Sequence, residues 1–395
     1  MSNAGDIKVL VVTSVFPRWK DDSTPPFVLN LCRDLMNAGC RITVLAPHSP
    51  GSMKEEDWDG MRIVRFSYMW PTSWQSLFYE GGMLVRLRRN PLRGLLIPFL
   101  VLSQCLAIRK MLQEGYDILH AHSLLPQGMT AAIAKSRSVP LVTSSHGADV
   151  FLLKSKWGAL LKWAVKKSHA LIANSSATRD RLLDLGADDS KVTHIPATPN
   201  YPDPEEPTHA QPPEPHIFFA GRVIEEKGVD LLVEAMPEIL KAFPNATLRI
   251  AGSGALEDQL FNRAKELNLE SAITFLGWQN SNDLRSEMQS ATILVAPSRM
   301  IEGQNLVVTE ALSVGCPVIT TPRGGVLDLI KDKDTGVVIS GPETTAIADA
   351  VIHCLGHPEL LAQYSENGYR HFQENYSRKE ITARTLKLYD SVVSK

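Results

Sequence analysis

The sequence predicts an α/β protein of two domains, each a parallel β-sheet covered by helices on both faces. Three observations predict it. Short apolar runs alternate with helical patterns, as they do when strands are joined by helical crossovers. The alternation occurs twice, on either side of Pro199 to Pro215, a stretch holding seven prolines. The chain of 395 residues, 44% of them hydrophobic, is long enough for two cores. The expected organisation is a first domain over residues 1–198, a proline-rich linker over 199–215, a second domain over 216–378, and a last helix over 379–395 that crosses back to the first domain.

In the first half, Lys8 to Val12, Arg41 to Leu45, Ile63 to Phe66, Ile118 to Ala121, Leu141 to Ser144 and Ala170 to Ala173 read as strands. Phe27 to Ala38 reads as a helix stopped by Gly39. The second half repeats the scheme with Ile217 to Ala220, Thr247 to Ala251, Ile273 to Leu276, Ile293 to Val295 and Val318 to Thr320, and with a helix over Val229 to Leu240. Between the halves, proline fixes φ and removes backbone donors, so the connection is extended and semi-rigid. Ligands of open α/β sheets bind beyond the carboxyl ends of the strands, and the loops there are where chemistry is expected.

The net charge of -2 is unevenly spread, with a basic first half and an acidic second half. The first half therefore suits anionic surfaces or acceptors. Val85 to Leu112 holds Arg86, Arg88, Arg89, Arg93, Arg109 and Lys110 and no acid, around the apolar run Leu95 to Leu102. Lys154, Lys156, Lys162, Lys166 and Lys167 surround Trp157 and Trp163. Helices of this kind can lie on anionic membrane; the plainer reading, two ordinary amphipathic helices of an α/β domain, is the favoured one. The apolar run, interrupted by Pro98, Ser103 and Gln104, is too short to span a bilayer. No recognition-module motif accompanies the basic faces, so nucleic acid is not an expected partner. Five scattered cysteines without metal or redox spacing, and no secretory leader pattern over residues 1–12, point to the cytoplasm, with a peripheral place at the inner face of the membrane.

Four stretches carry candidate chemistry. In Ala296 to Gly325, Glu302 and Glu310 bracket a polar turn in which Asn305 caps a helix. Free amides at that helix start favour an anion near residues 303 to 306, which are Gly303, Gln304, Asn305 and Leu306. Were the span all helical, the two glutamates would stand roughly 12 Å apart, too far for the roughly 5 to 10 Å of a glycosidase acid pair. They read as contacts to two ends of one long ligand. In Gly221 to Gly228, Arg222 and Lys227 project from a strand-to-helix loop, where a guanidinium fork and an ammonium together hold a pyrophosphate. In Gly252-Ser253-Gly254 the dinucleotide fingerprint fails at its third glycine, where Glu257 stands, which argues against a dehydrogenase. His146 follows a strand, with Asp149 placed to orient it, for hydrogen bonding or proton transfer; His120 and His122 share one face of the preceding strand. Asp57-Trp58-Asp59 and Asp332-Lys333-Asp334 have D-x-D form but read as solvated turns, and no metal is expected.

In this order and combination the residues resemble the retaining nucleotide-sugar glycosyltransferases of family 4, the glycosyl transferases group 1. The resemblance is carried by Phe16-Pro17, His146-Gly147-x-Asp149, Asn174-Ser175-Ser176, Gly221-Arg222 with Lys227-Gly228, Gly252-x-Gly254, Glu302 to Glu310, and Gly315-x-Pro317-Val318-Ile319. It implies the GT-B fold, two Rossmann-like domains with parallel sheets facing a central cleft. It implies that Arg222 and Lys227 bind the donor diphosphate, with Asn305 and Leu306. Glu302, Gly303, Gln304 and His146 then meet the donor sugar, and Glu310 the ribose. Gly277 and Trp278 flank the base, on the side of Gly252 and Gly254. Two departures stand out: Ser23-Thr24-Pro25-Pro26 where the family often has a glycine pair, and Pro196-Ala197-Thr198 where it often has Pro-Asn-Gly.

The expectation is a metal-independent, retaining glycosyltransferase that uses no cofactor. It moves a sugar from a UDP or GDP sugar to a hydroxyl of a saccharide or lipid-linked acceptor, in polysaccharide or glycolipid biosynthesis. His146 and Glu302 are its candidate catalytic residues, Glu302 as a positioning group before a nucleophile. The rival readings are a sugar-nucleotide epimerase on the same scaffold and a non-catalytic sugar-nucleotide-binding protein.

Overall fold

The computed structural model describes residues 7–20, 22, 24–79, 82–152, 157–210 and 212–394. Ser23 of the first departure, and Lys154 and Lys156 of the basic stretch, lie outside them. The chain forms two compact units, one running to Thr198 and taking in the chain from Ile381 onward, the other covering Pro199–Glu380.

The first unit is built on β1 (Lys8–Val12), β2 (Arg41–Pro47), β3 (Glu55–Trp58), β4 (Met61–Phe66), β5 (Ile118–His122), β6 (Leu141–Ser145), β7 (Ala170–Ala173) and β8 (Val192–His194). The sheet order is β3-β4-β2-β1-β5-β6-β7-β8. Every pairing is parallel except β3 with β4. The two-residue period of a strand divides β1 between two cores. Val9 and Val11 pack with the helix Phe27–Asn37 and with Ile381 and Tyr389 of the last helix. Leu10 and Val12 pack with Leu100, Ile108 and Met111 of the helix Ile97–Leu112.

The structure changes two expectations in this unit. Asp57 and Trp58 lie in β3 rather than in a solvated loop, because Trp58 is buried beside Phe16 and the pair closes the sheet edge. Asp57 accepts from the Gly60 amide at 2.8 Å, and Asp59 takes the left-handed turn position at φ 56°. The apolar run near Leu95 belongs to a helical stretch of 22 residues, Pro91–Leu112, in which an 18-residue window has a mean hydropathy of 1.7. Length and composition alone would let it cross a bilayer. One of its faces is committed to the core through Leu100, Gln104, Cys105, Ile108 and Met111. The opposite face carries Leu92, Leu95, Phe99, Leu102 and Leu106, all more than half exposed.

The second unit is built on β9 (His216–Ala220), β10 (Thr247–Ala251), β11 (Ile273–Gly277), β12 (Ile293–Ala296), β13 (Val318–Thr320) and β14 (Val337–Val338), all parallel, in the order β11-β10-β9-β12-β13-β14. Ile217 and Phe219 face one core and Phe218 the other. The stretch over residues 199–210 has no regular structure, yet it is docked along this unit. Tyr201 is buried in the second core, and the amides of Thr208 and His209 donate to the Val314 carbonyl at 3.1 and 2.9 Å. Asp332-Lys333-Asp334 is a turn, with Lys333 at φ 62° and Asp332 accepting from Val338 N.

Candidate functional site

In the second unit, loops leaving neighbouring strands are stitched together backbone to backbone. Gly252 N donates to Gly277 O at 2.7 Å, and Gly221 N to Ala251 O and Val223 N to Ser253 O, both at 3.0 Å. Across β9 and β12, Arg299 N donates to Glu226 O at 2.9 Å; across β12 and β13, Gly325 N donates to Glu302 O at 2.9 Å. Glycine is what lets these loops touch. A Cβ on Gly252 would stand 1.8 Å from Gly221 O, on Gly254 2.2 Å from Val223 O, on Gly228 2.1 Å from Pro297 O, and on Gly324 2.3 Å from Glu302 O. The Gly252-x-Gly254 pattern thus has a packing reason of its own, the contact of the β10 loop with the β9 loop.

Those contacts set Lys227 against Glu302. Lys227 ends a single helical turn, Glu225–Lys227, closed by Gly228 at φ 73°. Its ammonium meets Glu302 Oε2 at 2.6 Å. The other carboxylate oxygen accepts from Ser298 Oγ at 2.5 Å and lies 3.4 Å from Asn305 Nδ2. Ser298 is fixed in turn by Thr321, whose hydroxyl donates to its carbonyl. Arg299 clamps Asp230 through both guanidinium nitrogens at 2.7 Å, bracing the β12 loop on the helix Val229–Ala242. Lys227 and Glu302, expected at different parts of the ligand, are direct partners of each other. Arg222 stands on the same loop as Lys227 and forms no ion pair among the described residues.

The helix Leu306–Val314 opens from this turn. Asn305 caps it by accepting from Val308 N, and Gln304 Nε2 reaches Thr309 Oγ1 at 3.1 Å. The amides of Leu306 and Val307 have no acceptor within the helix. They lie next to Glu302, Gly303 and Asn305, so a cation, an N-H-rich helix start and a carboxylate share one mouth. Further along, Glu310 is buried, and Asn200 Nδ2 donates to its Oε1 at 2.6 Å. Burial pushes the Glu310 carboxyl up to about 8, against the opposing pull of the Asn200 amides. Gly277 ends β11 at φ 66°, and the Trp278 indole after it is 60% exposed. Asn200 and Ser298 were not foreseen. Asn200 sits in a stretch whose prolines mark only a connection, and a serine two residues past a strand gives no signal of its partner.

In the first unit the structure gathers three histidines. His122 Nδ1 and His146 Nε2 share a hydrogen bond of 3.1 Å, with the rings stacked at 5°. His120 stacks on His122 with centroids 4.3 Å apart, and its own nitrogens meet Ser144 Oγ at 2.8 Å and Tyr389 OH at 2.7 Å. Burial holds all three pKa values below the usual histidine range, His120 at about 3. Asp149 does not orient the His146 ring. Its carboxylate accepts from His146 N at 3.2 Å, Ser145 Oγ at 2.8 Å and Leu124 N at 2.7 Å, because it sits in the first helical turn after Gly147 and caps the backbone there. The ring's partner is His122, which the alternation along β5 placed on the correct face.

Comparison with known proteins follows this division of the chain. The family described as glycosyltransferase family 4 matches residues 26–197, and that described as glycosyl transferases group 1 matches residues 204–371. The phosphatidyl-myo-inositol mannosyltransferase of Mycobacterium leprae is 25% identical over 375 residues, which are 93% of this chain and 92% of that protein. Among solved structures, sucrose-phosphate synthase from Thermosynechococcus elongatus superposes with a TM-score of 0.78 at 20% identity, covering 98% of this chain and 99% of that one. Anabaena HepE in complex with UDP gives a TM-score of 0.73 at 17% identity, covering 98% and 100%.

Proposed function

This chain belongs to the family 4, group 1 glycosyltransferases and has the GT-B fold, and from that premise we propose that it transfers a sugar from a nucleotide diphosphate sugar to a hydroxyl acceptor with retention at the anomeric carbon and without a metal ion. The observation that carries this reading is the mouth of the helix Leu306–Val314, where the Lys227 ammonium, the Glu302 carboxylate and free helix amides stand together. A pyrophosphate needs the cation and the amides, and a sugar hydroxyl needs the carboxylate.

In this proposal Arg222, Lys227 and the amides around Asn305 and Leu306 hold the diphosphate and stabilise the charge that develops as it leaves. Glu302, Gly303 and Gln304 position the sugar, and Glu310 accepts from the ribose hydroxyls. Trp278 flanks the base beside Gly277, with Gly252 and Gly254 shaping the loop next to it. The anomeric carbon loses its bond to the phosphate oxygen and gains one to the acceptor oxygen on the same face. The acceptor's proton passes to the leaving phosphate, and His146, held by His122, serves the transferred sugar. HepE, a structural neighbour bound to UDP, supports a uridine or similar nucleotide as donor handle.

The acceptor is a saccharide or a lipid-linked saccharide, and the first unit rests on anionic membrane at its cytoplasmic face. Supporting this are the exposed stripe from Leu92 to Leu106 and the arginines beside it, Arg86, Arg88, Arg89 and Arg93. The deciding experiment is a thermal-shift panel of nucleotide sugars followed by turnover with and without acceptors, since a ligand of the native state raises its melting temperature. Conversion of the nucleotide sugar with no acceptor present would instead mark an epimerase. Binding without turnover across a broad acceptor panel would mark a binding protein.

A further inference from the structure

The first unit has a cavity that the transferase reading does not use. It measures about 880 Å³ and lies at the amino-terminal edge of β6, β7 and β8. His146 stands at the other end of β6, five residues on from Leu141, or about 16 Å along a strand. The cavity is lined by Lys135, Arg137, Lys166, Lys167 and Lys191 and by no acid. Among the described residues none of these five cations forms an ion pair. Their mutual repulsion is visible in the pKa of Lys135, which burial and then Lys167 lower, and in that of His169, which burial, Lys135 and Lys191 lower.

Helix ends explain part of this charge. The helices Met129–Ala134, Gly158–Lys167 and Arg378–Val393 all end near the cavity. Each carboxyl terminus supplies about -0.5 of a charge, together about -1.5. Five cations exceed that by more than a factor of three.

A second observation is a pair of donors in the same lining. His169 Nδ1 accepts from the Leu141 backbone amide at 3.0 Å, so the ring is neutral and its proton is on Nε2. Lys135 Nζ lies 3.4 Å from that same Nε2. Both groups donate at one exposed mouth, so a single acceptor-rich group can take a hydrogen bond from each.

We propose that this cavity binds a ligand carrying more than one phosphate group, whose oxygens accept from Lys135 Nζ and His169 Nε2 and are surrounded by Arg137, Lys166, Lys167 and Lys191. The shared chemistry is a clustered phosphate anion, either soluble or displayed as a lipid headgroup. The site stands apart from the donor site by residue and by unit, and does not depend on the transferase reading.

The test is calorimetric titration of the full chain with tripolyphosphate, which either phosphate site can take. Four proteins are compared: the natural sequence, Arg222→Ala with Lys227→Ala, Lys135→Gln with Lys191→Gln, and the chain carrying all four changes. The site predicts that the Arg222/Lys227 variant keeps a binding event that weakens at least tenfold when the Lys135/Lys191 changes are added to it. Unchanged affinity after that addition, or no binding in the Arg222/Lys227 variant, overturns the proposal. Unchanged melting curves show that the Lys135 and Lys191 changes leave the fold intact. Displacement of tripolyphosphate by vesicles of cardiolipin, whose headgroup carries two phosphates, assigns the site to a lipid headgroup, and its absence assigns it to a soluble phosphate; both retain the site.

Discussion

Lys227 and Glu302, 75 residues apart in the chain, meet at 2.6 Å with both side chains mostly buried. The pair ties the β9 loop to the β12 loop at the start of the helix Leu306–Val314, so each residue positions the other before any ligand arrives. Lys227→Ala should leave the Glu302 carboxylate to Ser298 and Asn305 alone. Turnover of the nucleotide sugar should fall about 10² to 10³-fold, the loss typical of one charge-stabilising donor, with the melting temperature little changed. Arg222→Ala should act alike. Near-normal turnover in both variants would remove the diphosphate clamp from the reading.

Glu302→Gln separates two roles for the acid. A positioning carboxylate replaced by its amide keeps the size of the group and the Ser298 contact, and should lose roughly tenfold in turnover, about 1.4 kcal/mol. A nucleophile so replaced should lose far more, on the order of 10⁴-fold or greater. Single-turnover rates with the best donor found by thermal shift decide between them, and the reading here expects the smaller loss.

Glu310 should make nucleotide binding depend on pH. Its carboxyl is raised from 4.5 to about 8 by burial, so the folded state holds a proton that the unfolded state has lost. The resulting stabilisation is fully present below about pH 4.5 and is lost as pH rises through about 8. Only the ionised carboxylate accepts from both ribose hydroxyls. Nucleotide binding near neutral pH should therefore release a proton, and affinity should rise with pH up to about 8. Calorimetry in buffers of different ionisation heat measures this directly, and Glu310→Gln should abolish it. Affinity that stays flat across that range would take Glu310 off the ribose.

The site glycines differ sharply in what an alanine would cost. Gly252→Ala and Gly254→Ala put a Cβ within 2.2 Å of backbone carbonyls that cannot move without parting two loops. Each should destabilise the second unit by about 3 kcal/mol or more and weaken donor binding as well. At Gly277 nothing lies within 4 Å, and only φ 66° is unfavourable to a side chain, so Gly277→Ala should cost about 1 to 2 kcal/mol. Denaturant melts of the three variants test the order.

Much of this was legible in the sequence because buried parallel strands announce themselves. β7, β10 and β13 have the bounds that the apolar runs predict. The strands that escaped, β3, β8 and β14, are at or beside sheet edges, where Glu-Glu-Asp-Trp or a two-residue pairing leaves no hydrophobic run to read. Residue types and order singled out Lys227, Glu302, Glu310 and His146 as candidates, and the structure pairs Lys227 with Glu302 and His146 with His122. The partners of Glu310 and His120 were out of reach, since Asn200 meets Glu310 across 110 positions and Tyr389 meets His120 across 269.

The histidine cluster gives the first unit the opposite pH response to Glu310. Burial lowers the pKa of His120, His122 and His146, so the unfolded chain binds more protons below about pH 6.5. Stability from these residues is present above that value and is lost as pH falls toward about 3. Tyr389→Phe removes the hydroxyl at His120 Nδ1 and should cost about 1 kcal/mol at neutral pH. Melting curves followed by domain-specific tryptophan probes should show the first unit weakening in acid before the second.

The exposed stripe of the helix Ile97–Leu112 and the turn before it yields the last prediction. Leu92, Leu95, Phe99, Leu102 and Leu106 recur at the three- and four-residue spacing of one helix face, and that face is turned from the core that holds Leu100, Cys105 and Ile108. Arg86, Arg88, Arg89 and Arg93 precede or flank the stripe and contribute about 1 kcal/mol each near an anionic surface at low salt. Replacing Leu95, Phe99 and Leu102 by serine removes apolar area without touching the core, so the melting temperature should hold. Co-sedimentation with phosphatidylglycerol vesicles should drop at least tenfold. Charge reversal at Arg88 and Arg89 should instead shift the salt concentration at which vesicles release the protein. If the natural sequence ignores anionic vesicles at low salt, the stripe is no membrane contact, and the acceptor need not be lipid-linked.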